Sequence, residues 1–68
     1  MKYAVAYEQA PRNWAAYVPD LPGCVATGRT RADVQRRIRE AISLHLEAMR
    51  GWGEDVPETS AAVEVIEV

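Results

Sequence analysis

The chain carries one histidine, His45, and one cysteine, Cys24, and chemistry would start with those two side chains. An imidazole near neutral pH is a general base or a metal ligand, and a thiolate is a nucleophile. No second histidine and no ligand-spaced set of cysteines or carboxylates accompanies His45, as a metal site requires. Placed on the apolar stripe of a helix, it reads as a core residue hydrogen-bonded to a neighbour. No electropositive setting marks Cys24 for a lowered pKa, so it reads as a small buried thiol in a strand. Glu54, Asp55 and Glu58 fall in a connecting loop, without the fixed spacing on one element that two-carboxylate catalysis needs. Asp20 lies inside a proline-rich corner, where it caps a turn amide, presents a contact to a partner, or does both. Arg36, Arg37 and Arg39 interleave with Glu40 and Glu47 as a solvated helix face. Gly51-Trp52-Gly53 neither follows a strand nor opens a helix, so it is no phosphate loop. No catalytic residue, cofactor site or metal site is assigned, and the chain reads as a non-enzyme.

The elements that position these residues follow from hydrophobic period. Tyr3, Val5 and Tyr7 alternate with Lys2, Ala4, Ala6 and Glu8, the period of a strand with one better-buried face. Gln9 to Asn13 reads as a hairpin loop around Pro11. Trp14 to Val18 reads as a second strand. Pro19-Asp20-Leu21-Pro22-Gly23 then makes a stiff corner: each proline fixes its own φ and restrains the residue before it, and Gly23 supplies a positive φ. Cys24 to Thr27 is a third strand, closed by Gly28. Thr30 is a helix N-cap with Asp33 three residues on, in capping-box spacing. Over 31–50, Val34, Ile38, Ala41, Ile42, His45 and Met49 form one stripe, and Gly51 is placed to end the helix as its C′ residue. Gly53 to Ser60 is a polar, acidic connection, and 61–68 reads as a fourth strand covered on both sides. The expected fold is α+β, β-β-β-α-β: an antiparallel sheet with one helix on one face. One helix cannot cover both faces of four strands, so a sheet face or an edge is left for a partner.

Composition narrows the classes of function. With 68 residues the chain is read as one domain, residues 1–68, and a chain this short buries only ~60% of its unfolded surface. Self-association as a homodimer or higher homo-oligomer is therefore expected. The net charge of −2 and the single lysine, Lys2, argue against direct nucleic-acid binding, which needs a clustered basic surface. No apolar run approaches a membrane span, and there is no signal-peptide pattern. A lone cysteine suits a reducing cytoplasm, the expected location.

Four motifs, taken in order, resemble one family. They are Ala16-Tyr17-Val18-Pro19-Asp20-Leu21-Pro22-Gly23-Cys24, then Gly28-x-Thr30, then Glu40-Ala41-Ile42-x-x-His45-Leu46-Glu47, then Gly53-Glu54-x-Val56-Pro57. Together they resemble the HicB family of bacterial antitoxins over nearly the whole chain. The resemblance implies a partial RNase H-like fold and a partner, HicA, which is a small basic toxin that cleaves mRNA. Longer family members add a C-terminal ribbon-helix-helix or helix-turn-helix domain; these 68 residues contain none, so promoter binding is not expected of this chain. Trp52 departs from the pattern, since a polar residue is expected after the helix. An RNase H-like nuclease needs several metal-binding carboxylates on the sheet, and the expected strands offer only Glu8, Glu64 and Glu67. The expected mechanism is occlusion of the toxin's RNA-binding surface, favoured by charge complementarity. Asp20, Glu54, Asp55 and Glu58 would supply the charge, with Trp14 or Tyr17 as apolar anchors. The competing reading is an orphan oligomeric module that binds a protein or small ligand and has no toxin. A basic neighbouring reading frame would discriminate between the two.

Overall fold

The computed structural model describes residues 2–58, 60, 61, 64 and 66. Strands β1 (Ala6–Gln9), β2 (Trp14–Tyr17) and β3 (Val25–Gly28) form an antiparallel sheet in the order β1-β2-β3, followed by helix α1 (Arg31–Gly51). The fold is α+β, as the alternation and the helical stripe predict. The fourth strand expected over 61–68 falls mainly outside the described residues; Ala61, Glu64 and Ile66, which lie within them, belong to no strand.

β1 starts at Ala6 rather than Lys2, and the register explains why. Ala6 pairs with Tyr17, the last residue of β2. One step further the amide of Val18 is already committed to the carbonyl of Cys24 (3.2 Å), and Pro19 has no N–H to give. The β1–β2 hairpin closes through the Ala10 amide, which donates to the Asn13 carbonyl at 2.8 Å around Pro11.

The core forms between the sheet and α1. Ala16, Val18, Leu21, Cys24, Val34 and Ile38 are buried, and Tyr3, Val5, Tyr7, Trp14, Ala26, Ala41, Ile42, Leu46 and Met49 pack around them. Full burial of a side chain such as Leu21, Val34 or Ile38 contributes about 1.5–3 kcal/mol. Leu46 joins the stripe, while His45 sits at its half-buried margin rather than in the core.

The N-cap is the one the sequence predicts: the Thr30 hydroxyl accepts from the Asp33 amide at 3.1 Å. The Asp33 carboxylate turns to Arg36, 3.6 Å away. The C-terminal end differs from expectation. Gly51 is still helical, Trp52 is the C-cap, and Gly53 takes the positive φ of 75°. The Gly53 amide donates to the Arg50 carbonyl (3.1 Å) and the Glu54 amide to that of Met49 (2.9 Å). Those two bonds define a Schellman motif with Gly53 as C′.

Helix and sheet are mismatched in length. Four-residue strands span roughly 13 Å, whereas 21 helical residues span roughly 31 Å. Val34 and Ile38, in the first half of α1, are the helical residues that become fully buried. The second half runs past the sheet and approaches the proline corner.

Candidate functional site

The proline corner is two β-turns in tandem. The Leu21 amide donates to the Val18 carbonyl (3.1 Å), and the Cys24 amide to the Leu21 carbonyl (3.0 Å). A proline occupies the second position of each turn. Gly23, third in the second turn, has φ 83°, which with Pro22 before it makes that turn type II. Val18, Leu21 and Cys24 point into the core while Pro19, Pro22 and Gly23 stay exposed. The corner is thus anchored from below and shaped on its outer side.

Asp20 is half-buried, and its carboxylate reaches across the fold to the segment after the helix. Oδ2 accepts from the backbone amides of Ser60 and Ala61, both at 3.0 Å, and Oδ1 accepts from the Ser60 hydroxyl at 2.8 Å. The carboxylate therefore fastens the segment after the helix to the corner. The Tyr3 hydroxyl donates to the Pro57 carbonyl and makes a second tie to the same segment.

The other residues singled out in the sequence lie on different surfaces. Trp14 is half-buried on the helix-covered side of the sheet, against the core. Tyr17 is on the opposite side and is 41% exposed. The register sets Ala6, Tyr17 and Val25 in one row across that outer face, with Glu8, Ala15 and Thr27 in the next. Val25 is also exposed. Strand alternation puts Val25 beside Tyr17 only once the register is known, so the sequence alone did not single it out. Glu54, Asp55 and Glu58 are exposed on the connection after the helix. The structure therefore puts Trp14 and Tyr17 on opposite faces of the sheet and ties Asp20 into the scaffold.

The nucleophile candidate is sheltered. Cys24 is buried just before β3, and burial pushes its thiol pKa up, which favours the protonated form. Among the described residues no group of three or more His, Cys, Asp or Glu side chains is placed to hold a metal ion. No helix among them is long and apolar enough to cross a membrane. Within the run Arg36, Arg37 and Arg39, the Arg37 guanidinium donates to the Thr27 carbonyl (3.3 Å); outside it, that of Arg31 lies 5.1 Å from the Tyr7 ring centroid. Both hold the start of α1 to the sheet.

Among the described residues, a three-stranded meander closed by a capped helix, with its shaped surface at a proline-led corner, places the chain among small α+β domains. The chain belongs to the HicB-like antitoxins of bacterial toxin–antitoxin systems, whose family model matches residues 3–67. Its fold is similar to that of a chain in the solved "HicA3 and HicB3 toxin-antitoxin complex", with a TM-score of 0.74 and 28% identity over 88% of this chain and 70% of that one. Among curated proteins it is 32% identical over 66 residues to the "Uncharacterized 14.9 kDa protein in rep-hol intergenic region" of Haemophilus phage HP1. That match takes in 97% of this chain but spans only 50% of the phage protein. It is also 32% identical over 62 residues to the "UPF0150 protein Ta0767" of Thermoplasma acidophilum, with 90% of each chain covered.

Proposed function

We propose that this chain is the antitoxin of a toxin–antitoxin pair and neutralises a small, basic HicA-like toxin by covering its RNA-binding surface. The observation that carries this reading is the likeness to a chain from a complex of HicA3 with HicB3. Two surface features support it. Among the described residues no helix lies over the outer sheet face, with Tyr17 and Val25, since α1 packs on β2 and β3 from the other side. The connection after the helix carries Glu54, Asp55 and Glu58, exposed and all of one sign. Acidic groups facing a basic partner speed encounter and fix orientation more than they add raw affinity. In this mechanism Tyr17 is the apolar anchor, the three carboxylates steer, and Asp20 holds the acidic connection in position. Trp14 supports the sheet from behind. The chain acts in the cytoplasm, as a homo-oligomer, and without catalysis of its own.

The test is to mix the chain with the HicA-like protein of the adjacent reading frame. A stable complex in sedimentation, together with loss of the toxin's RNA cleavage, is the expected result. Failure to form a complex at micromolar concentration overturns the proposal.

A further inference from the structure

The C-terminal end of α1 builds a groove of which the function above uses only Glu54. Its walls are His45, Ala48 and Met49 from the last turns of the helix, Trp52 and Glu54 from the Schellman cap, and Pro22 from the second turn of the corner. Its volume is about 370 Å³, at the lower end of the roughly 300–1,000 Å³ of small-ligand sites. Both rims are stiff. Pro22 sits in a type II turn whose neighbours are buried, and Trp52 and Glu54 are held by cap bonds of 3.0 and 2.9 Å. Trp52 is nevertheless 75% exposed, so its indole face is available from solvent.

Three features of the groove select one kind of occupant. An exposed indole is the best aromatic partner for a cation, and guanidinium groups stack on it readily. Glu54 lines the groove as well, and a carboxylate there offers an ion pair. The carbonyl end of a helix favours positive charge, yet residues 47–58 carry Glu47, Glu54, Asp55 and Glu58 against the single Arg50. The opposite end is reversed, with Arg29, Arg31, Arg36, Arg37 and Arg39 against Asp33 over 29–39. This charge arrangement adds to the helix dipole instead of offsetting it, and a cation bound at the C-terminal end would relieve it.

We propose that this groove receives an arginine side chain from a basic partner protein. The guanidinium stacks on Trp52 and pairs with Glu54, and the aliphatic stem lies against Met49 and Ala48. A lysine could use the same carboxylate but not the same stacking. In identifying that basic partner with the toxin, the inference rests on the antitoxin reading, and its test is built so that the two fail separately.

In the first arm, the isotopically labelled chain is titrated with acetylated, amidated tetra-arginine, tetra-lysine and tetra-glutamate peptides, and the Trp52 indole N–H resonance is followed. Tetra-arginine should shift it, tetra-lysine should shift it less, and tetra-glutamate should leave it in place. Glu54→Gln should weaken the response to tetra-arginine. No shift with tetra-arginine, or an equal shift with tetra-glutamate, overturns the groove assignment whatever the toxin does. In the second arm, the HicA-like protein is the ligand. Trp52→Ala should weaken the complex roughly 5- to 30-fold, as loss of a stacked cation does, and Trp52→Phe should do so by less. Unchanged affinity in Trp52→Ala overturns the docking role, while a wild-type complex in the same experiment leaves the antitoxin reading standing. If the wild-type chain forms no complex, the antitoxin reading falls and the peptide arm decides the groove alone.

Discussion

Asp20→Ala removes the acceptor for three hydrogen bonds at once, two from the amides of Ser60 and Ala61 and one from the Ser60 hydroxyl. Hydrogen bonds of this kind contribute about 0.5–1.5 kcal/mol each, more when one partner is charged. Ser60 is exposed, and its freed groups rehydrate easily, so the lower half of that range applies and the total loss is about 1.5–3 kcal/mol. Asp20→Asn is the informative control. Its remaining oxygen can still accept both amides, and its NH2 can donate to the Ser60 hydroxyl, which also accepts. The asparagine variant therefore keeps the geometry, loses only charge assistance, and should cost under about 1 kcal/mol. Urea unfolding followed by circular dichroism gives the two values, and limited proteolysis around residue 60 tests whether the segment comes loose. In the alanine variant, cleavage there should precede global unfolding. The reasoning is refuted if alanine leaves both stability and cleavage unchanged, or if asparagine is as damaging as alanine. The three bonds lie within one chain, so the isolated chain is the sample to use.

Gly28 admits no Cβ: the added atom would lie 2.8 Å from the Val34 amide nitrogen and 3.1 Å from Asp33 Cβ, at the capped start of α1. Gly28→Ala must push helix from sheet and should cost about 1–3 kcal/mol, seen as a melting temperature lower by at least several degrees; a change under about half a kcal/mol would contradict the close approach. Ile38→Ala opens the centre of the core and should cost about 2–5 kcal/mol, measurable in the same urea titration. Cys24 should react with a thiol-specific disulfide reagent far more slowly in the folded chain than in urea, and its folded-state rate should keep rising above the ordinary thiol pKa. The linkage has a definite sign: the folded state holds its proton longer than the unfolded one, so the contribution of Cys24 to stability is present below the unfolded-state pKa and is lost as pH rises through the folded one.

Much of the architecture is legible in the chain itself, because strand alternation, the helical stripe and capping residues act over a few neighbours. The three strands, the Thr30 cap and the turn-forming prolines of the corner all follow from that local order. The end of the helix shows where such reasoning stops. Two glycines flank Trp52 and either can take a positive φ; Gly53 does so because α1 runs through Gly51 to the Trp52 cap, which puts Gly53 at the C′ position of the Schellman bonds. The candidate surface was least legible. Asp20 was readable as a turn residue, but its partners are 40 and 41 positions away, and no short-range pattern encodes them. Likewise Trp14 and Tyr17 share one strand and differ in face, and which face is covered depends on where α1 lands. Residue order along the chain was enough to specify the elements and the corner. Folding in three dimensions settled which aromatic faces solvent, what the Asp20 carboxylate holds, and that a helix longer than its sheet leaves a groove at the acidic end. Those outcomes depend on side chains distant in sequence meeting in space.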